Sequence, residues 1–419
     1  MPIATASFDP DAAVISTSVI VVSRGRGADL QRCLSGLSRL CYSAYEVVVV
    51  TDPEGEAAID AAGLRDEVKL VPFDTPNISA ARNLGIGIAA GDVVAFIDDD
   101  AVPEPMWLAH LIAPFADDQV AATGGYVRGR NGISYQWRAR TVDTQGVAHA
   151  LEVAGDAPQR INPPAGHAIK TEGTNMAVRR DWLLRLGGFD EAFQFYLDET
   201  DLNRRLMLAG GVTVLVPLAE VHHAYASSPR RRPNRAVTDL FDVGASTAVF
   251  LRKHDADCDP AAALAWLRQE QWDRLQRQVW RRLIKRSDMV DVLSSLEAGL
   301  QDGQVRDFDL SPDWPAPQEA FRPFASRANG QHVVLSGWIW ARRRLMRQAT
   351  DSVKAGATVS LYLFSPDSRY HRLGYHLPGI WLQRGGLFGR SVRSQRLVRF
   401  WRVKDRVAAE INRLFRIRF

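Results

Sequence analysis

Between Ser18 and Ile97 the chain alternates short apolar runs with stretches whose apolar positions recur every three or four residues. The runs "SVIVV" (18–22), "YEVVVV" (45–50), "VKLVPF" (68–73) and "DVVAFI" (92–97) read as strands buried on both faces. Between the first two, Leu30, Cys33, Leu34, Leu37 and Leu40 fall at helical spacing, and "EAAIDAAGL" and "ISAARNLGIGIAA" predict two more helices. This alternation predicts βαβ units with right-handed crossovers and an α/β fold built on a mostly parallel sheet flanked by helices. Ligands of such sheets bind beyond the carboxyl ends of the strands, where Asp52 and the run Asp98, Asp99, Asp100 fall.

From about 121 to 175 the pattern weakens into Gly-rich and polar sequence. Helical periodicity returns in "NMAVRRDWLLRLGGFDEAF" and "DETDLNRRLMLAGG", and "VTVLVP" adds a strand before "LAEVHHAY". "PRRRP" (229–233) marks a boundary, residues 236–300 read as largely helical, and "SPDWPAPQEAFRPF" reads as a linker. Beyond it, "HVVLSGWIW" and "TVSLYLF" are strand-like. The expected division is an N-terminal tail (1–16), an α/β domain (17–228), a helical extension (229–310), a Pro-rich linker (311–329), a small C-terminal α+β region (330–390) and a basic amphipathic tail (391–419).

Composition changes this picture little: 46% hydrophobic and 24% charged residues are ordinary for a soluble globular protein. The three cysteines, Cys33, Cys41 and Cys258, have no metal-ligand spacing and suit a reducing compartment, so a cytoplasmic location is expected. No leader pattern opens the sequence, and no apolar run is long enough to span a membrane. Charge is more informative: the tail holds nine basic residues and two acidic ones, leaving everything before it net acidic. Read as a helix, the tail sets Leu397, Phe400, Trp401, Ala408, Ile411, Leu414 and Phe415 on one face. Arg399, Arg402, Arg406, Glu410 and Arg413 take the other. Such a helix fits a peripheral contact with an anionic membrane, and equally a terminal helix packed on its own protein. No nucleic-acid module accompanies the charge, so no nucleic-acid partner is expected.

Three adjacent carboxylates at the mouth of a buried strand repel one another, which calls for a cation beside them. Oxygen-rich clusters suit Mg²⁺ or Mn²⁺ shared with substrate phosphates. "LDETD", with Asp198, Glu199 and Asp201, and the pair His222–His223 offer further acids and ligands. Taken in order, "SVIVVSRGRGADLQRCLSGL", "YEVVVVTD", "PNISAARNLGIGIAAGDVVAFIDDDAVPEPMWL", "GTNMAVRRDWLLRLGGFDEAF", "LDETDLNRRLMLAGG" and "VPLAEVHH" resemble the family 2 glycosyltransferases over residues 17–225.

That resemblance implies the GT-A fold and a metal-dependent, inverting transfer of a sugar from a nucleoside diphosphate donor. Family frequency favours UDP. The acceptor would be a hydroxyl of a glycan or a lipid-linked sugar, in envelope or exopolysaccharide synthesis. Carried over by position, Asp52 matches the acid that binds the nucleobase, and Ser23, Arg82, Asn83, Asp98 and Asp99 match donor-binding positions. Asp100 matches the metal ligand, with His223 aligning better than His222 as its partner. The base position of the family's Glu-Asp motif is held by Glu199, and the reversed order "DE" leaves Asp198 as a second candidate. The QxxRW element of processive members is missing, which favours transfer of single sugars. Asp52 equally suits a cap before Pro53, and Arg82 a simple ion pair. Two rivals stand beside this reading. Gly25-x-Gly27 after the first strand mimics a dinucleotide-binding turn, although Leu30 holds the third glycine position. A non-catalytic sugar-nucleotide-binding protein of the same fold is the other.

Overall fold

The computed structural model describes residues 14–223, 230–232, 234–255, 259–309 and 319–419. The tail before Val14, Pro229 and Pro233 of the expected boundary, Cys258 and the first part of the Pro-rich linker lie outside them.

Strands β1 (Thr17–Ser23), β2 (Tyr45–Thr51), β3 (Lys69–Pro72) and β4 (Val93–Asp98) run parallel in the order β3–β2–β1–β4. They are joined through α1 (Gly27–Leu37), α2 (Pro53–Ala61) and α3 (Ile78–Ile88). Local chemistry sets the helix starts. The Asp52 carboxylate accepts from Gly55 N with Pro53 in the first turn, and the Asn77 side chain accepts from Ala80 N.

The chain continues through β5 (Ala101–Pro103), α4 (Trp107–Ile112), β6 (Val120–Arg128) and the short strands β7 (Tyr135–Trp137), β8 (Arg140–Val142), β9 (Ala148–Ala150), β10 (Gln159–Arg160) and β11 (Ala168–Lys170). Then come β12 (Met176–Arg179), α5 (Arg180–Arg185), α6 (Asp198–Leu208) and β13 (Val212–His223). From β4 the sheet extends through β12, β6 and β13 to β10, with β12 antiparallel to both neighbours and β6 parallel to β13. The α/β class is as expected, while the parallel ladders of this sheet are confined to β3–β2–β1–β4 and β6–β13. Strands β11, β8 and β9 form a separate antiparallel sheet across residues 140–170, too short to leave a readable period.

Side-chain alternation along β1 and β2 builds the two core layers. Val19, Val21, Val47 and Val49 pack with Leu30, Leu34, Trp107 and Leu111, whereas Ile20, Val48 and Phe96 pack with Ile86, Phe189, Leu202 and Leu206.

Helices α7 (Phe241–His254), α8 (Pro260–Trp280) and α9 (Arg286–Val305) form the extension, with their own core around Leu264, Leu275 and Leu296. Next, β14 (His332–Trp338), α10 (Arg342–Lys354), β15 (Thr358–Ser365), β16 (Arg372–His376) and β17 (Ile380–Gly386) make a sheet in the order β14–β15–β17–β16. The first three strands are parallel, and α10 is the crossover between β14 and β15. The expected small C-terminal region thus joins one parallel βαβ unit to the antiparallel β16–β17 hairpin.

The described part of the linker is strapped to the first domain: Phe324 N donates to Tyr45 O at 2.8 Å and the two rings lie 5.8 Å apart. The tail also departs from its expected form. Its helix, α11 (Val403–Arg418), begins after Leu397 and Phe400, and its buried residues include Arg406, Glu410 and Arg418. Amphipathic spacing placed Arg406 and Glu410 in solvent; instead they pair with each other at 3.0 Å beneath the C-terminal sheet. Leu414, Ile417 and Phe419 pack with Val102, Tyr375 and Trp381, so the helix rests on its own protein and bridges both sheets. Among the described residues, no helix is long and apolar enough to cross a membrane.

Candidate functional site

The carboxyl end of β4 delivers Asp98, the following turn Asp99 and Asp100, and the end of β13 delivers His222 and His223. Antiparallel pairing of β5 with β13 sets His222 opposite Val102 and His223 opposite Ala101. Adjacent strand residues point to opposite faces, so the two histidines part. His223 Nε2 lies 2.9 Å from Asp100 Oδ1 and 3.8 Å from Asp98 Oδ2. His222 Nε2 turns to Glu104 Oε1 at 2.7 Å instead.

Asp98, Asp100 and His223 offer one ligand atom each within 4.8 Å of one another, the only such group among the described residues. Two carboxylate oxygens and an imidazole nitrogen suit a hard or borderline divalent ion. The Nδ1 edge of His223 meets Gln136 Oε1 at 3.0 Å, so Nδ1–H donates and Nε2 is the edge turned to the acids. Burial alone would lower the His223 pKa, but Asp100 and Asp98 raise it overall. Burial pushes the Asp98 carboxyl up against the pull of Arg82. The residues present fit a bound cation.

The third aspartate does something else. Asp99 accepts from Ser23 Oγ at 2.8 Å and pairs with Arg26 Nη1 at 3.0 Å. Burial still pushes its carboxyl up to about 7. Ser23 and Asp99 thus brace the turn that aims their neighbours, and neither lines the cavity described below.

Opposite the cluster, α6 begins with Asp198 and Glu199 after Tyr196 and Leu197, both left-handed at φ 78° and 63°. Such conformations cost about 1–3 kcal/mol each in non-glycine residues and persist where surrounding structure enforces them. Asp198 pairs closely with Arg82, which also lies 3.5 Å from Asp98 and stacks 5.1 Å over Phe189. Glu199 Oε1 accepts from Lys170 Nζ at 2.7 Å, and Lys170 also donates to Thr200 Oγ1 at 2.8 Å. Burial, then the charge of Glu199, raises the Asp198 carboxyl against Arg82. Burial would raise Glu199 too, but Lys170 outweighs it and holds Glu199 low. Asp98, Asp100, His223, Arg82, Asp198 and Glu199 all line one cavity of about 660 Å³. Trp266 and Glu270 of α8 line it too, so the helical extension contributes to its wall.

Of the donor positions inferred from the sequence, Asn83 also falls elsewhere. Asn83 donates to Phe189 O at 2.8 Å and Glu191 Oε1 at 3.1 Å and accepts from Phe189 N at 2.9 Å. With both amide hydrogens engaged, it clamps α3 to the Gly187–Gly188 turn and is not a donor contact. Asp52 takes its capping role and also accepts from Gly25 N at 2.8 Å. The dinucleotide-binding alternative fails on the same geometry: the amides of Gly25 and Gly27 already donate to Asp52 and Glu54. An anion would need those amides free.

Lys170, Glu172, Arg140, Gln136 and Arg26 carry no motif and escape sequence reading. Arg140 pairs with Glu172, which lies 3.9 Å from Lys170, so the small sheet supplies a cationic wall to the acids of α6. Gly173 hints at this closeness, since a Cβ there would stand 2.4 Å from Arg82 Nη2.

Residues 18–187 match the model of the family described as glycosyl transferase family 2. The chain is similar to an N-acetylglucosaminyl-diphospho-decaprenol L-rhamnosyltransferase of Mycobacterium tuberculosis, 27% identical over 265 residues, covering 56% of this chain and 83% of that one. It is similar to a glucosyl-dolichyl phosphate glucuronosyltransferase of Haloferax volcanii, 29% identical over 182 residues, 42% of this chain and 56% of that one. A solved mannosyltransferase from Pyrobaculum calidifontis, in complex with GDP-Man and Mn²⁺, aligns over 71% of this chain and 89% of that one at 18% identity and a TM-score of 0.45.

Proposed function

Because residues 18–187 belong to glycosyl transferase family 2 and the chain is a glycosyltransferase, we propose that the cavity between β4, β13 and α6 transfers a sugar, with inversion, from a nucleoside diphosphate donor to an acceptor hydroxyl. The observation that carries this is the placement of Asp98, Asp100 and His223 across one cavity from Asp198 and Glu199. It is a cation-competent group facing a carboxylate pair.

Asp98, Asp100 and Nε2 of His223 would hold Mg²⁺ or Mn²⁺. When bound, the ion supplies charge neutralisation for the leaving diphosphate. Ser23 and Arg26 fix the turn through Asp99. Asp52, buried beside Gly25, keeps lone pairs with which to meet the nucleobase. Arg82 ties the two halves together, touching Asp98 on one side and Asp198 on the other.

Glu199 removes the acceptor proton. Its side chain is 17% exposed against 5% for Asp198, and Lys170 holds only Oε1, which orients the carboxylate. Asp198, committed to Arg82, positions the helix end. The hydroxyl then attacks the anomeric carbon in line and the diphosphate departs, so a single displacement inverts the configuration. Two relatives are named for lipid-linked sugar acceptors, and we take a lipid-linked or glycan hydroxyl as the acceptor class here.

The test is nucleoside diphosphate release from a panel of sugar nucleotides, UDP-sugars first, with Mn²⁺, with Mg²⁺ and with chelator. Asp100→Ala and Glu199→Ala are run alongside. Metal-dependent release lost in both variants, with an inverted product, is expected. Retention of configuration, or release indifferent to both substitutions, overturns the reading.

A further inference from the structure

Beyond the carboxyl ends of β14, β15 and β17 the C-terminal sheet presents an unusual surface. Trp338, Phe364 and Gly385 stand in register across the three strands. Just past them, Trp338 stacks on Trp340 at 5.1 Å, and Phe388 meets Phe400 at 5.6 Å. Trp338, Phe388 and Trp401 all pack on one buried cluster of Tyr362, Phe364 and Leu387. Two segments far apart in sequence, 339–347 and 390–404, therefore rim the same end of the sheet.

Both leave large apolar side chains in solvent. Trp340 is 68% exposed, Ile339 39%, Leu397 59%, Val398 50% and Phe400 87%. Segment 339–347 holds four arginines and segment 390–404 five arginines and a lysine, with no acidic residue in either. Between Ile339 and Arg347 lies an open hollow of about 980 Å³ lined by three apolar side chains and three arginines. Monomeric proteins rarely leave such apolar groups together in water.

We infer that this end of the C-terminal sheet seats the protein on an anionic lipid bilayer, with Trp340 and Phe400 entering the interface and the arginines meeting lipid phosphates. Charge complementarity selects an anionic partner. Exposed Ile339, Leu397 and Val398 select lipid over nucleic acid, which offers aliphatic side chains nothing to bury against, whereas a bilayer interface takes up both aromatic and aliphatic groups. The contact differs from an amphipathic α11 lying on the membrane, because the apolar face of α11 is spent on its own protein. It is independent of the donor chemistry, and its test reads no activity.

The full chain is sedimented with neutral phosphatidylcholine vesicles and with vesicles containing phosphatidylglycerol, at low and high salt. Trp340→Ala/Phe400→Ala and Arg343→Glu/Arg396→Glu are compared with it, after circular dichroism confirms that each remains folded. The expected result is salt-sensitive binding to anionic vesicles alone, weakened at least about tenfold in the arginine variant, since each surface cation contributes roughly a fivefold change in partition, and weakened also in the aromatic variant. Absence of vesicle binding, equal binding to neutral vesicles, or variants that bind as the parent would overturn it. So would oligonucleotide binding or self-association through these residues in place of vesicle binding.

Discussion

Substituting Arg418→Met tests the joint between the two sheets. Arg418 and Glu104 are wholly buried: Arg418 Nε donates to Glu104 Oε2 at 2.7 Å, a second guanidinium nitrogen meets Oε1, and the guanidinium lies 4.3 Å over the Trp381 ring. Burial opposes ionisation of Glu104, but Arg418 and then His222 outweigh it and hold the carboxyl at about 2. Against its ordinary value of 4.5, that difference is worth roughly 3 kcal/mol of folding free energy at neutral pH. It agrees with the 3–5 kcal/mol or so lost when one partner of a buried pair is removed.

The sign follows from the depressed carboxyl: this stability is present above pH 4.5 and is lost as pH falls towards 2. Burial also lowers His222 against Glu104, so its share is lost as pH falls through the ordinary histidine range. In urea denaturation at pH 7, Arg418→Met is expected to cost about 3 kcal/mol. The double variant Glu104→Gln/Arg418→Met should recover much of it, because no uncompensated charge remains. A coupling energy below about 1 kcal/mol in the four-way cycle, or no loss of the pH dependence in Arg418→Met, would refute the reasoning.

Lys170→Met removes the cation that holds Glu199 low, so the acidic limb of kcat/KM, set by a base that must be deprotonated, should move to higher pH; an unmoved limb would assign the proton transfer to another group. Gly173→Ala puts a methyl 2.4 Å from Arg82 Nη2 and should displace Arg82 from Asp198, costing about 1–3 kcal/mol in thermal unfolding and lowering turnover. Unchanged stability and turnover would show that Arg82 yields without consequence.

Sequence alone determined the parallel half of the sheet, because apolar runs of five or six residues alternating with 3.6-residue periodicity leave few other ways to bury both faces. It also brought the aspartates of β4, the α6 acids and the β13 histidines to strand and helix ends, where polar groups at a mouth announce themselves. Which histidine faces Asp100 was a matter of pleat and register, settled only by β5 pairing with β13. That Asn83 and Asp99 are braces depended on partners more than 70 residues away, the Phe189 backbone and Ser23. Lys170 and Arg140 reach the site from strands of three residues each, too short to carry a period, so packing alone brings them there. The tail shows the limit most plainly. Spacing correctly marked an amphipathic helix, but not that Arg418 is buried against Glu104 of a distant segment, nor that the Arg406–Glu410 pair within the helix is covered, with Ser391 donating to Glu410. Local spacing can bring a charge and its counterpart together, but only tertiary structure decides whether the pair is covered or, as for Arg418, where the counterpart comes from.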